Sequence, residues 1–424
     1  MLRMIAAAAL LLAVPARALP LAEITAGRAG VGPQLSGLVA IVADARGIVR
    51  AEAHGDAVIG LRPLTIDTPM RVASISKAVV AIAVLRLVEQ GKLDLDADVS
   101  RWLGWRLRNP AFPDAPVTLR QLLSHTSGID DGSGYRFPLG TGLRAGMTAE
   151  HWSAQAPGAR FAYANLNYGI IATVIEAATG ERFDRLMTRL VLAPLKLDAG
   201  YNWSGASDAA IASAAVLYRK GVDETAWNPA GPWIAQVDDM NGVRPACPVA
   251  SASGCDLAAY RPGDNGTLFS PQGGLRISSR GLATIGRMLL RGGEVDGVRL
   301  LRPASVRAML TPVWRAGRNP ADDTYHGQML CYGAGLHCLS GRAGASDQPV
   351  AGAKWWGHLG EAYGLLGGLW VDRAHGRVLV YLLTGSADDP MQGGAPGFSR
   401  VETAILRELA TPLERRQQSR GETR

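Results

Sequence analysis

The chain has 424 residues, of which 47 % are hydrophobic and 19 % charged, with a formal net charge of +7. That length and balance build a large packed core, in two lobes, and exclude a disordered or fibrous chain. The basic residues are nearly all Arg and are scattered. Without a basic stripe interleaved with aromatics, nucleic acid is not an expected partner.

Met1-Leu-Arg3 precedes an uncharged apolar run from Met4 to Val14, and Pro15-Ala-Arg-Ala18 follows. A basic start, a short apolar segment and an Ala-x-Ala exit predict a secretory signal peptide cleaved after Ala18. The run is too short to cross a bilayer, and no later stretch reaches about 18 apolar residues, so no stable membrane span is expected. The periplasm or the exterior is the expected location. Four cysteines follow: Cys247, Cys255, Cys331 and Cys338. An exported chain favours disulfides. Three pairings are open, and two short loops, Cys247–Cys255 and Cys331–Cys338, are the simplest. No Cys-x-x-Cys or His-rich cluster accompanies them, so no metal site is expected.

Along the chain, Ser36–Gly55 reads as two β-rich runs around Asp44-Ala-Arg-Gly47, a hairpin. Met70-Arg-Val-Ala-Ser74-Ile-Ser-Lys77 then runs into the nearly continuous apolar segment Ala78–Leu85 and stops at Gly91. This predicts a helix from Ser74 to Gln90, buried on all sides. Leu93–Val99 is acidic, but it lacks the glycine and final Glu of a calcium loop and reads as a capped turn. Thr118 caps a short helix that ends at His125-Thr-Ser-Gly128, where His125 reads as a structural histidine. Residues 129–160 are irregular. Tyr163, Asn165 and Tyr168 form a polar-aromatic cluster ahead of an apolar helix closed by Gly180, and another helix covers Arg182–Leu192. Residues 201–265 read as long loops, which usually serve a site.

Ser278–Arg291 is amphipathic and Pro303–Leu310 is a shorter helix; residues 311–350 are irregular again. His358-Leu-Gly360 is expected in a loop entering an edge strand. Gly364–Val371 and Arg377–Leu383 read as strands joined by Asp372–Gly376, and Ser399–Leu409 as the last helix. Strands at both ends around a helical middle predict an α+β fold: an antiparallel β-sheet flanked by helices, with an inserted, mostly helical lobe. The sheet lobe takes 19–75 and 266–412, the helical lobe 76–265, and 413–424 form a polar tail.

Ser74 and Lys77 share one face of the predicted helix. Helix N-terminal N–H groups can face a developing negative charge, a lysine in apolar surroundings loses its proton more readily, and serine needs such a neighbour to become a nucleophile. Ser-x-x-Lys alone is weak, arising about 0.26 times by chance in this composition. Tyr163 and Asn165 form the chain's only Tyr-x-Asn, and His358 and Gly360 its only His-x-Gly. Jointly the three patterns are expected about 0.04 times.

With these motifs the chain resembles the penicillin-recognising serine hydrolases, in the class C β-lactamase and DD-peptidase-like branch. The likeness covers most of 36–384. It runs through Val72-Ala-Ser-Ile-Ser-Lys, Leu122-Leu-Ser-His-Thr-Ser-Gly, Pro157-Gly-x-x-Phe-x-Tyr-Ala-Asn-x-Asn-Tyr, Gly273-Gly-Leu-x-x-Ser and Gly357-His-Leu-Gly-Glu. The resemblance implies a serine hydrolase in which Ser74 is acylated and Lys77 and Tyr163 share the proton traffic, with the primary base open between them. It implies substrate contacts from Asn165, His358 and Gly360, and an oxyanion hole from the N–H groups of Ser74 and Glu361. No cofactor is implied. Where strong β-lactamases of this branch carry Lys-Thr-Gly, this chain has His358-Leu-Gly360, which favours a small-molecule or peptide substrate with weaker carboxylate recognition. Expected substrates are D-alanyl-D-alanine peptides, D-amino-acid peptides or amides, or esters; β-lactamase proper, or a penicillin-binding protein with little turnover, is the alternative. Trp227, Trp233, Trp355 and Trp356 could wall an acyl pocket or be ordinary core aromatics.

Overall fold

The computed structural model describes residues 19–221, 228–249, 255–317, 319–386 and 397–411. The expected signal segment, Trp227 and the polar tail lie outside them.

Nine strands form one antiparallel sheet. In chain order they are β1 (Gly37–Asp44), β2 (Ile48–Val58), β3 (Arg62–Pro63), β4 (Trp314–Arg315), β5 (Cys331–Tyr332), β6 (His337–Cys338), β7 (Trp356–Ala362), β8 (Leu365–Asp372) and β9 (Arg377–Thr384). Across the sheet the order is β4-β5-β6-β7-β8-β9-β1-β2-β3. N- and C-terminal segments therefore meet at β9 and β1, registered from Gly37 opposite Thr384 to Asp44 opposite Arg377. Among the described residues, none between Leu64 and Val313 adds a strand to it.

The central strands are apolar along their whole length because both faces are covered. In β1, Val39, Ile41 and Ala43 enter one core while Leu38, Ala40 and Val42 enter a second. In β9, Val378, Val380 and Leu382 oppose Leu379, Tyr381 and Leu383 in the same way. This split follows from the two-residue period of a strand. The helices Ser76–Glu89 (α1), Leu166–Thr179 (α2) and Ser279–Leu290 (α3) pack into the first core, and Arg400–Ala410 (α4) covers the second. Local chemistry sets the helix starts. The Ser278 hydroxyl accepts the Gly281 N–H, and Ser399 and Glu402 form a capping box. Gly180, at φ 69°, ends α2 in the left-handed conformation that favours glycine.

Three features shape the site. First, α1 is entered through a 3₁₀ turn, Ala73–Ile75, so Ser74 precedes the α-helix proper. Second, Met70–Arg71 pairs with Leu275–Ile277, which also pairs with Gly200–Tyr201. This small sheet fixes the chain entering the turn. Third, β7 is an interior strand and not the expected edge strand, with His358 inside it and not in a loop before it. Its partner β6 is only two residues long, and their pairing stops at Gly357. Beyond that point the side of β7 meets the Ser74 turn.

Both disulfides are local: Cys247–Cys255, with Cα atoms 5.4 Å apart, and Cys331–Cys338, at 5.1 Å, which staples β5 to β6. Among the described residues, no helix is long and apolar enough to cross a membrane.

Candidate active site

The turn that displays Ser74 is held from both sides. Ala73 takes φ 45°, a left-handed conformation uncommon for a residue with a Cβ. The Ser76 hydroxyl stabilises it, donating to Ala73 O at 2.6 Å and accepting the Leu275 N–H at 3.1 Å. Gly360 of β7 lies so close that a Cβ there would stand 2.4 Å from Val72 O. Only glycine admits this approach, and it brings the β7 backbone alongside Ser74.

Lys77 projects from the first turn of α1 and is 0 % exposed. Its Nζ lies 2.9 Å from Ser74 Oγ, 2.8 Å from Asn165 Oδ1 and 3.0 Å from Gln272 O. Burial brings its pKa down to about 7, against a smaller upward pull from Asp131. The Tyr163 phenol is hydrogen-bonded to the Ser74 side chain, and its ring centroid is 4.8 Å from Lys77 Nζ. Burial pushes Tyr163 well above the usual phenol range, an effect the Ser74 bond only partly offsets. Residues 74, 77, 163 and 165, far apart in the chain, thus meet at one point.

Asp131 completes this cluster, and sequence reasoning missed it within an irregular stretch. Its carboxylate accepts the Asn165 N–H at 2.7 Å and the Leu166 N–H at 2.9 Å, so it caps α2 from 34 residues away. It also bonds the Asn165 side chain. The Asn165 amide therefore has partners at both ends, Lys77 and Asp131. Burial raises the Asp131 pKa, while these N–H bonds and Lys77 hold it down. His125 is structural, as expected: Nδ1 accepts the Ala164 N–H at 3.1 Å and lies 3.2 Å from Asn167 Nδ2. Its ring packs 4.3 Å from that of Tyr163.

His358 stands apart from this hydrogen-bonded group. It is 0 % exposed, with Nε2 2.9 Å from the Tyr332 hydroxyl and Nδ1 2.6 Å from Leu359 O. In the neutral ring that this burial favours, Nδ1 donates to that carbonyl and Nε2 accepts from Tyr332. Burial and the nearby Lys77 charge depress its pKa well below the ordinary value.

A cavity of about 40 Å³ opens at Ser74, bordered by Tyr163, Tyr325, Met329, Gly360 and Glu361 among others. Tyr325 and Met329 belong to the second irregular stretch; its length was the only available signal. Trp233, Trp355 and Trp356 do not border this cavity. Trp355 belongs to the core beneath α4, Trp356 packs against the other core, and Trp233 lies under Lys220. A larger cleft of about 560 Å³, lined by Asp67, Lys196, Arg280 and Asp296 among others, contains none of the residues grouped around Ser74.

A profile of the Beta-lactamase family matches residues 26–398. Esterase EstB of Burkholderia gladioli is 31 % identical over 387 residues, covering 85 % of this chain and 88 % of EstB. Two solved structures share the fold. One is EstCE1, described as a hydrolase with promiscuous acyltransferase activity (TM-score 0.63, 22 % identity, 92 % of this chain and 97 % of that chain). The other is a D-stereospecific amidohydrolase from Streptomyces sp. (TM-score 0.60, 22 % identity, 92 % and 98 %). With the family profile spanning most of its length, the chain belongs to the Beta-lactamase family and is a serine hydrolase.

Proposed function

We propose that the protein is an esterase working through an acyl-enzyme on Ser74, with D-amino-acid amides and D-alanyl peptides as slower substrates. One observation carries this reading: the buried Lys77 Nζ, 2.9 Å from Ser74 Oγ, with a pKa of about 7. A neutral amine has two N–H groups and one lone pair. Asn165 Oδ1 and Gln272 O receive the two N–H groups, so the lone pair faces the Ser74 hydroxyl.

In the first step Ser74 Oγ bonds the ester carbonyl carbon while its proton passes to Lys77. The N–H groups of Ser74 and Glu361 hold the oxyanion, each worth about 2.7–4 kcal/mol of transition-state stabilisation. Collapse breaks the carbon–oxygen bond to the leaving group. Tyr163, kept protonated by burial, gives that oxygen its proton and recovers one from Lys77. Water then attacks the acyl carbon, loses a proton to the same pair, and Ser74 leaves reprotonated. Lys77 is therefore the primary base, and Tyr163 the relay.

The preference for esters rests on two points. His358 is buried and neutral, so it offers no cation where penicillin-hydrolysing relatives carry lysine. The relative at 31 % identity is named an esterase. Export is part of the proposal, supported by the N-terminal pattern and two disulfides.

The test compares a short-chain nitrophenyl ester, a D-amino-acid amide, a D-Ala-D-Ala peptide and nitrocefin, each against Ser74→Ala. The expected result is the highest kcat/KM on the ester, lost in Ser74→Ala. Equal turnover by the variant would falsify the proposal. A single stoichiometric burst without turnover supports a penicillin-binding role instead.

A further inference from the structure

Four described arginines have a buried Nε without a hydrogen-bond partner: Arg62, Arg71, Arg108 and Arg287. Three of them place their other nitrogens on acceptors. Arg62 reaches the carbonyls of Ala212 and Ala214, Arg108 reaches Asp98, and Arg287 reaches Asp296. Arg71 differs: among the described residues, no acceptor meets any of its nitrogens. Its Cζ instead lies 4.9 Å from the ring centroid of Tyr363.

The position of Arg71 makes this unusual. It lies three residues before Ser74, on the short strand that enters the nucleophile turn. Its direct cross-strand partner is Arg276, so two cations share one face, a destabilising arrangement. The nearby carboxylate, Asp238, is already engaged. It pairs with Arg276 at 2.9 and 3.1 Å and accepts the Trp203 indole N–H at 3.0 Å. Burial and the Arg276 charge lower the Arg71 pKa to about 10, which leaves it cationic at neutral pH. Tyr363 belongs to the β7–β8 turn, two residues beyond Glu361 at the Ser74 cavity. Tyr363 and Gly364 both have positive φ, 59° and 80°, so the turn is tight and holds the ring in place.

Arg71 is half-buried: its Nε is sealed from water without a partner, while its two terminal nitrogens are not buried and so stay open to an arriving anion, which would recover part of the cost of the sealed group. A guanidinium's planar fork matches a carboxylate through two parallel N–H bonds. We propose that Arg71, backed by Tyr363, is a carboxylate subsite beside Ser74, so that the preferred ester carries a second, anionic carboxylate. This rests on the acyl-enzyme reading above.

The experiment uses two matched pairs of substrates on the full enzyme. Phenyl acetate against 3-carboxyphenyl acetate places the charge on the leaving group; 4-nitrophenyl butyrate against mono-4-nitrophenyl glutarate places it on the acyl group. In one pair the anionic-to-neutral ratio of kcat/KM is expected to fall tenfold or more in Arg71→Gln, through KM, with partial recovery in Arg71→Lys. Ratios unchanged in both pairs overturn the proposal. In a Ser74→Ala background, binding of the favoured anionic ester, measured by calorimetry, should weaken to a similar extent on adding Arg71→Gln. Equal affinity there also overturns it. Turnover of that ester by Ser74→Ala itself instead refutes the nucleophile assignment, which separates the two failures. Should Arg71→Gln not fold, wild type supplies the check: the anionic member's advantage must shrink as salt rises, and an advantage indifferent to salt counts against the subsite.

Discussion

Lys77 and His358 are two nitrogen bases in one interior, both wholly buried and both driven toward the neutral form by burial. Their starting points separate them. Burial brings Lys77 down from the high lysine value to about 7, and the Asp131 carboxylate opposes part of that fall. Burial takes His358 well below the ordinary histidine value and the Lys77 charge pushes it further down, while its nitrogens are occupied by Tyr332 and Leu359 O. The same burial leaves a lysine near neutrality and takes a histidine, which starts lower, well below it, so of the two Lys77 is the base suited to cycle a proton at neutral pH.

The sharpest way to break this comparison is to remove the base that cycles. Lys77→Met should lower kcat/KM for the preferred ester by about 10⁴-fold or more, with far-UV circular dichroism unchanged. A loss under tenfold would assign the base elsewhere. Tyr163→Phe should cost about 10²–10⁴-fold in kcat, since it removes the relay but leaves Lys77 beside Ser74. Steady-state kinetics across a series of leaving groups should show the largest losses for the most basic ones.

Asp131→Asn tests the counter-charge. Asp131 raises the Lys77 pKa, so its removal should move the acidic limb of the kcat/KM profile below pH 7. The weakened cap on α2 should cost about 1 kcal/mol in denaturant unfolding. A limb that moves up, or stays, removes Asp131 from the account.

His358→Gln should have the smallest effect on the catalytic pH profile, because the ring is already neutral. Its main expected cost is about 1–3 kcal/mol of stability, from leaving the buried Tyr332 hydroxyl without its acceptor. The pH dependence has a definite sign. Buried His125, His337 and His358 all have depressed pKa values, with His337 near 3. Their contribution is fully present above the unfolded-state value of about 6.5 and is lost as pH falls below it. Stability should therefore decline from about pH 6.5 downward, less steeply in His358→Gln.

Much of the fold is legible because its determinants are local. The hairpins follow from alternating apolar runs around short turns, and the helix starts at Thr118, Ser278 and Ser399 follow from side chains bonding the N–H group three residues on. Ser74 and Lys77 are legible for the same reason, one helical turn apart. What escapes is set by distant parts of the chain. Asp131 caps α2 across 34 residues without a local pattern. Tyr325 and Met329 reach the cavity from an irregular stretch. The placement of β7 inside the sheet depends on β6, two residues long and too short for any period to show.

The central claim is that neutral Lys77 accepts the Ser74 proton. The most direct measurement is the rate of Ser74 labelling by a fluorophosphonate between pH 5 and 9. The account predicts a rate that rises about tenfold per pH step below 7 and levels above it, and that collapses in Lys77→Met. A rate flat across this range, or equal in wild type and Lys77→Met, contradicts it.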